Sequence, residues 1–301
     1  MTDLKAIRVF LEVAAHLSFA KAARSLQMTP ASITRIVSKL EEDMGQQLFV
    51  RTTRQVSLTT AGAIAATRYR PLVEELDRAT DDITRATSPD KGRLRLNAPM
   101  SLGIRVMPRL VESFRLAYPR IDLEVYLTDT LVDIIAGDCD LAIRVSEAPK
   151  DKSTIWRKIC KVPRHVIAAP SLFQRIPKPL APDDLRPETL LAYSDAGHGE
   201  TWKFSKGAQT RDIRTATTVV SNSGDFLYSV AAAGGGICML PDFIVRAGIE
   251  KGEVERLMPD WQVSPLWLTL FYPPYEQFPP LVATFTDFFE AYMRELEGME
   301  F

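Results

Sequence analysis

Histidine and cysteine are the scarcest chemistry-bearing residues in this 301-residue chain, with three of each. His16, His165 and His198 stand far from one another and from any cysteine, so no metal-ligand spacing exists and no metal is expected. Cys139, Cys160 and Cys238 are an odd set without a CxxC pair, which excludes a disulfide framework and points to free thiols in a reducing compartment. The chain lacks a P-loop, a GxSxG elbow and a GxGxxG fingerprint, since Gly234-Gly235-Gly236 simply precedes an apolar strand. No enzyme chemistry and no cofactor are therefore expected. Long apolar runs are missing too. The longest, around 230–240, is well short of the ~20 residues that cross a bilayer. Arg8, Glu12 and His16 interrupt the first apolar stretch, so it does not read as a signal peptide, and a soluble, cytoplasmic protein is the expectation.

What is present is ordinary for a globular chain: 46% hydrophobic and 25% charged residues, at a length suited to two or three domains. Net charge is only −1, but it is unevenly spread. Residues 1–70 hold ten Lys and Arg against five Asp and Glu, a net of +5, which leaves −6 for the rest. A small basic head on a larger acidic body suggests a polyanion partner for the head.

The head reads as helical. Leu4, Ile7, Phe10, Leu11 and Ala14 line one face of a first helix, and Ser18 is placed to cap a second through Ala22, Ala23 and Leu26. A third begins at Thr29-Pro30, a capping hydroxyl followed by proline where its missing N–H costs nothing. Ile33, Val37, Leu40 and Met44 form its buried stripe. Ala31, Arg35 and Ser38 point away from that stripe, flanked by Ser32, Thr34 and Lys39. Small side chains, hydroxyls and one guanidinium suit entry into a major groove, while Glu41, Glu42 and Asp43 would repel phosphate at the far end. Arg51-Thr52-Thr53-Arg54 then makes a basic turn before the strand-like QVSLT, a wing able to reach the adjacent backbone. The competing reading is a plain three-helix bundle with solvated charges.

From Thr59 to Ala86 runs a longer helix with Pro71 inside it, expected to bend its first turns. Ala65, Tyr69, Leu72, Leu76, Ala79, Ile83 and Ala86 step by four and three, a heptad seam that should pair with another copy or pack on the chain's own body. Past the SPDKG joint (88–92), strand and helix patterns alternate, which predicts α/β architecture with largely parallel sheets. One lobe spans about 92–162; a second spans about 163–265; 266–301 returns to the first. A chain that crosses twice makes a cleft, and clefts of this kind bind small molecules at strand ends and helix N-termini. Met100-Ser101-Leu102 and Asn222-Ser223 open helices on the two sides, with Thr128, Arg144 and Ser194 at other strand ends. Facing helix N-termini would suit a small anion. Tyr193 and Trp202 are candidates for an aromatic wall or for core packing.

SFAKAARSLQMTPASITRIVSKLEEDMGQQLFVRTTRQVSLTTAG (18–62) resembles the winged helix-turn-helix of the LysR-type transcriptional regulators, and GRLRLNAP, FRLAYPRIDLEVYL, DLAIR and AAGGGICMLPDF extend the likeness along the chain. The Thr29-Pro30-Ala31 form departs from the Ser-Gln-Pro-Ala of many members, so a base-reading glutamine is absent. The resemblance implies an all-α winged helix-turn-helix domain (1–58), a linker dimerisation helix (59–88) and a two-lobed α/β periplasmic-binding-protein-like effector domain (89–301). It implies that Arg35 is the recognition arginine and Arg54 the wing arginine, with Ser18, Lys21 and Thr59 at phosphate-holding places. It also implies a bacterial homodimer or homotetramer on an inverted-repeat site of double-stranded DNA, answering a small, anionic effector. A redox-sensing member of the same family and a free solute-binding protein are the alternatives.

Overall fold

The computed structural model describes residues 3–51, 55–130, 139–147, 154–194 and 197–297, without the side chains of 81, 82, 84–87 and 297. The chain divides into two compact units, Met1–Ile83 and Thr84–Phe301.

The first unit begins with α1 (Leu4–His16), α2 (Phe19–Ser25) and α3 (Pro30–Met44). Local sequence sets each boundary. Ser18 Oγ accepts the Lys21 N–H, Thr29 Oγ1 accepts the Ser32 N–H with Pro30 at the first helical position, and Gly45 ends α3 in the left-handed region at φ 63°. Phe10, Ile33, Val37 and Leu48 are fully buried at the centre, and Phe49 packs on the rings of Phe10 and Phe19. A two-stranded hairpin, β1 (Phe49–Arg51) and β2 (Val56–Leu58), follows antiparallel.

Helix α4 (Thr60–Thr87) continues as one helix through Pro71. Its apolar seam divides. Ala65 and Tyr69 of the seam close the core of this unit together with their off-seam neighbours Ala66 and Val73, whereas Leu72, Leu76 and Ile83 are 65%, 44% and 69% exposed. An Arg8–Asp77 ion pair with two hydrogen bonds ties α1 to α4. The Ala86 side chain and the wing residue Arg54 lie outside the described residues.

The second unit has two lobes. In the first, β3 (Gly92–Ala98), α5 (Met100–Arg105), α6 (Met107–Ala117), β4 (Ile121–Leu127), β5 (Leu141–Ser146) and β6 (Ile155–Val162) lead to a crossing at Pro163. The second lobe contains β7 (Arg164–Ala168), β8 (Leu190–Tyr193), β9 (Thr201–Lys206), β10 (Gln209–Arg214), β11 (Val219–Ser221) and α7 (Gly224–Ala232). It continues with β12 (Ile237–Pro241), α8 (Asp242–Glu250), β13 (Glu255–Arg256) and β14 (Gln262–Val263). The chain then returns to the first lobe as β15 (Leu266–Tyr272) and α9 (Pro280–Glu297).

Each lobe is built on a five-stranded sheet, ordered β4-β3-β5-β15-β6 and β11-β8-β12-β7-β13, and β10-β9-β14 forms a smaller antiparallel sheet. The sheets are mixed rather than largely parallel. β3 pairs in parallel with β4 and β5, and β8 with β11 and β12. β15 runs antiparallel to β5 and β6, and β7 antiparallel to β12 and β13. Strands joined by a helical crossover within one sheet must run parallel; β7 and β15 instead carry the chain into a lobe from the other one and enter reversed. Phe114, Phe285 and Phe289 on α6 and α9 cover the first sheet, and Leu227, Ala231, Ile244 and Val245 on α7 and α8 cover the second.

Candidate nucleic-acid face and ligand cavity

On α3 the outward residues are Ala31, Thr34, Arg35 and Ser38, all exposed, while Ser32 is half-buried and its Oγ lies 2.9 Å from Thr29 Oγ1. Arg35 is thus a guanidinium on a face otherwise made of small and hydroxyl side chains. Ser18 and Thr59 serve the fold first. Thr59 Oγ1 donates to the Gln47 carbonyl at 2.7 Å and accepts the Gly62 N–H at 2.9 Å, capping α4. Lys21 is exposed beside Ser18 at the start of α2.

Arg51 is held inside the unit. It pairs with Glu41 Oε2 at 3.2 Å, and its guanidinium carbon sits 4.3 Å from the Phe19 ring centre. Glu41 does more than repel phosphate: its Oε1 accepts the N–H groups of Leu48 at 2.9 Å and Phe49 at 3.1 Å. One carboxylate on α3 therefore anchors the strand that leads into the wing. Sequence reading missed this because the partners lie seven and eight residues on, beyond any helical or capping spacing.

Between the lobes lies a cavity of about 300 Å³, at the small end of the usual range for ligand pockets. Ser101, Thr128 and Arg144 line it. Met100, Leu102, Ser194, Asn222 and Ser223 do not appear in its lining. Met100 N–H donates to Asp129 Oδ1, Leu102 is buried in the core, Ser194 Oγ accepts the His198 N–H, and Asn222 is exposed. Ser223 Oγ caps α7 by accepting the Phe226 N–H at 3.3 Å. Tyr193 lines the cavity, whereas Trp202 is fully buried in the second lobe's core.

Four charged residues of the lining were not singled out from sequence: Asp129, Glu147, Arg164 (the first residue of β7) and Glu200 (just before β9). Arg164 Nε donates to the Ser264 carbonyl at 2.9 Å, and Glu200 Oε1 accepts the Tyr193 N–H at 2.9 Å. Burial lowers the Arg164 guanidinium from its ordinary value, with Glu200 and Glu147 acting against it. Burial raises the Glu200 carboxyl, opposed by the Tyr193 N–H, the Trp202 indole and Arg164.

The lobes also touch beside the cavity. A Cβ built on Gly224, the first residue of α7, would stand 3.4 Å from Ser101 Oγ across the gap and 2.7 Å from Ile244 Cδ1, so a larger residue here would have to push the end of the Ile244 side chain aside. Next to it Arg105 on α5 binds Asp225 on α7, with Nη2 at 2.7 Å and Nε at 2.8 Å from Oδ1. At the crossing between lobes, His165 Nε2 lies 2.8 Å from Asp242 Oδ1, and Arg246 pairs with the same carboxylate. Although burial acts in the other direction, the His165 hydrogen bond and the Arg246 charge hold the Asp242 carboxyl below its ordinary value. All three cysteines are buried, and burial pushes the Cys238 thiol up, away from the reactive thiolate.

The chain matches two family models: "Bacterial regulatory helix-turn-helix protein, lysR family" over residues 4–63 and "LysR substrate binding domain" over residues 87–294. It is 33% identical over 273 residues to an HTH-type transcriptional regulator of Haemophilus influenzae, covering 91% of this chain and 94% of that one. It is 27% identical over 285 residues to the regulator PtxR of Pseudomonas aeruginosa, covering 95% and 91%. The full-length structure of AphB, a Vibrio cholerae virulence activator, superposes with a TM-score of 0.62 at 26% identity, covering 95% of this chain and 98% of that one. CrgA of Neisseria meningitidis superposes with a TM-score of 0.59 at 26% identity, covering 97% and 99%. No helix among the described residues is long and apolar enough to cross a membrane. A capped helix-turn-helix with its hairpin, a long helix and a two-lobed α/β body, joined in that order, make this chain a member of the LysR family of transcriptional regulators.

Proposed function

We propose that the head reads an inverted-repeat DNA site through α3 and that a small molecule bearing an anionic group, held between the lobes, alters that binding. The observation that carries the reading is the joining, in one chain, of a polar α3 face around Arg35 to a charged inter-lobe cavity. Arg35 takes the base-reading role, with Ala31, Ser32, Thr34 and Ser38 beside it. Ser18, Lys21, Arg51, Arg54 and Thr59 serve phosphate contact and positioning; the caps at Ser18 and Thr59 turn helix N-termini toward the backbone. Exposed Leu72, Leu76 and Ile83 on α4 suit a second copy, and two-fold symmetry then matches an inverted repeat. The domains divide at 1–58, 59–88 and 89–301, and the protein works in the cytoplasm by binding rather than catalysis.

Selection of DNA fragments by the purified full-length protein, followed by gel shift, tests the first half. Enrichment of an inverted repeat bound by wild type and lost on Arg35→Ala supports it; recovery of no shared sequence overturns it. Buried cysteines give the redox alternative no exposed thiol to start from.

A further inference from the structure

We infer that the ligand of the inter-lobe cavity is a zwitterion, a small amino carboxylic acid with an apolar side chain, whose carboxylate meets Arg164 and whose ammonium group meets Glu200. This rests on the reading of the cavity as the effector site.

The argument starts from opposite charges that face one small space. Arg164 and Glu200 both line the cavity, yet among the described residues they form no ion pair with each other. Arg164 donates to the Ser264 carbonyl, Glu200 accepts the Tyr193 N–H with the Trp202 indole also acting on its carboxyl, and each of the two charges feels the other without a direct ion pair. Both pay desolvation, since burial moves each toward its neutral form. Two partly dehydrated charges that face one cavity without direct contact leave part of their attraction unused, and a ligand carrying the complementary pair gives each a close ionic partner.

Simpler ligands fit less well. A plain anion meets Arg164 and Arg144 but also sits against Glu200, Glu147 and Asp129. A plain cation leaves both guanidiniums facing it. Asp129 is already committed to the Met100 N–H, and Glu147 is exposed, so Glu200 is the carboxylate placed to select an ammonium group. Val145, Met239, Leu240, Phe243, Ile244 and Leu266 supply apolar wall, which favours an apolar side chain over a second polar group. The volume of about 300 Å³ limits the ligand to a small molecule.

Calorimetry on the full-length protein compares L-leucine, L-isoleucine, L-methionine and L-phenylalanine with their deaminated acids and decarboxylated amines. For leucine these analogues are 4-methylpentanoate and 3-methylbutan-1-amine. At least one amino acid should bind roughly tenfold or more tighter than both of its analogues, the weight of a charge pair in a partly dehydrated site. Glu200→Gln keeps the oxygen that accepts the Tyr193 N–H, so it should fold, weaken the amino acid by a similar factor and leave the deaminated acid unchanged or tighter. Arg164→Gln should weaken both acids and spare the amine. A deaminated acid that binds wild type as well as its amino acid, or no binding by any of the amino acids, overturns the zwitterion. The cavity itself is tested separately by Ser146→Trp, which fills it from the first lobe. Binding that survives this substitution removes the cavity as effector site, whatever the ligand class.

Discussion

Removing the Glu41 carboxylate should loosen the DNA-binding head while leaving the body untouched, and the structure sets the size of the effect. Glu41 accepts two partly buried backbone N–H groups, those of Leu48 and Phe49, residues that are 0% and 3% exposed. Hydrogen bonds to a charged acceptor contribute about 1.5–3 kcal/mol each. The partly exposed pair with Arg51 adds about 0.2–1 kcal/mol. Relief of the carboxylate's own desolvation offsets part of this, leaving a net loss of about 2–4 kcal/mol for Glu41→Ala. Glu41→Gln retains one acceptor oxygen without its charge and should lose about half as much. The assay exploits tryptophan placement: the chain's four tryptophans, at 156, 202, 261 and 267, all lie in the body. Tryptophan fluorescence in urea therefore follows the body, and far-ultraviolet circular dichroism follows the helical head as well. At slopes of about 1–2 kcal/mol per molar, the head's midpoint should fall by about 1–4 M, with the fluorescence transition unmoved. A circular-dichroism transition that stays where it is in wild type would refute the clamp.

Arg35→Ala should cost about 1–3 kcal/mol on the selected site and relax preference at one base position, as read by competition gel shift; equal loss on unrelated DNA counts against base reading. Leu72→Asp with Leu76→Asp places charge on the exposed α4 stripe and should lower the mass seen by light scattering; an unchanged mass moves the self-association surface elsewhere. Arg105→Ala removes the link between α5 and α7 and leaves the Asp225 carboxylate without its partner, so the lobes should separate more easily. A pair of this exposure is worth about 1 kcal/mol, so ligand affinity measured by calorimetry should shift about fivefold, and an unchanged affinity would show that the pair does not bias closure. Asp242 has a folded value below its unfolded one, so its stabilisation is complete above about pH 4 and fades as pH falls through the folded value. Asp242→Asn should therefore melt below wild type at neutral pH, with the gap narrowing in acid; a gap that widens in acid has the wrong sign for this carboxylate.

Local chemistry made most of the head readable in advance. A cap acts on N–H groups two or three residues away, so Ser18 and Thr29-Pro30 announce α2 and α3 without knowledge of anything distant. The Ile33, Val37 and Leu40 stripe likewise fixes which way Arg35 points, because helical geometry turns spacing into direction. The alternating pattern of the body, its double crossing and its return strand were readable for the same reason. Strand direction was not, since polarity depends on which lobe a strand enters from.

What the tertiary structure alone decided is where distant residues meet. The heptad on α4 looks uniform as a sequence, but Ala65 and Tyr69 join the core of the head while Leu72 and Leu76 stay exposed, a division set by which of them meet the head's other core residues. Ser223 and Ser194, candidates for ligand contact on local grounds, spend their hydroxyls on nearby N–H groups. Arg164 and Glu200 stand 36 positions apart in the chain, and Arg105 and Asp225 stand 120 apart. No periodicity links such pairs; only the packing of two sheets and their helices sets Arg105 against Asp225 and brings Arg164 and Glu200 to one cavity, and with them the character of that cavity.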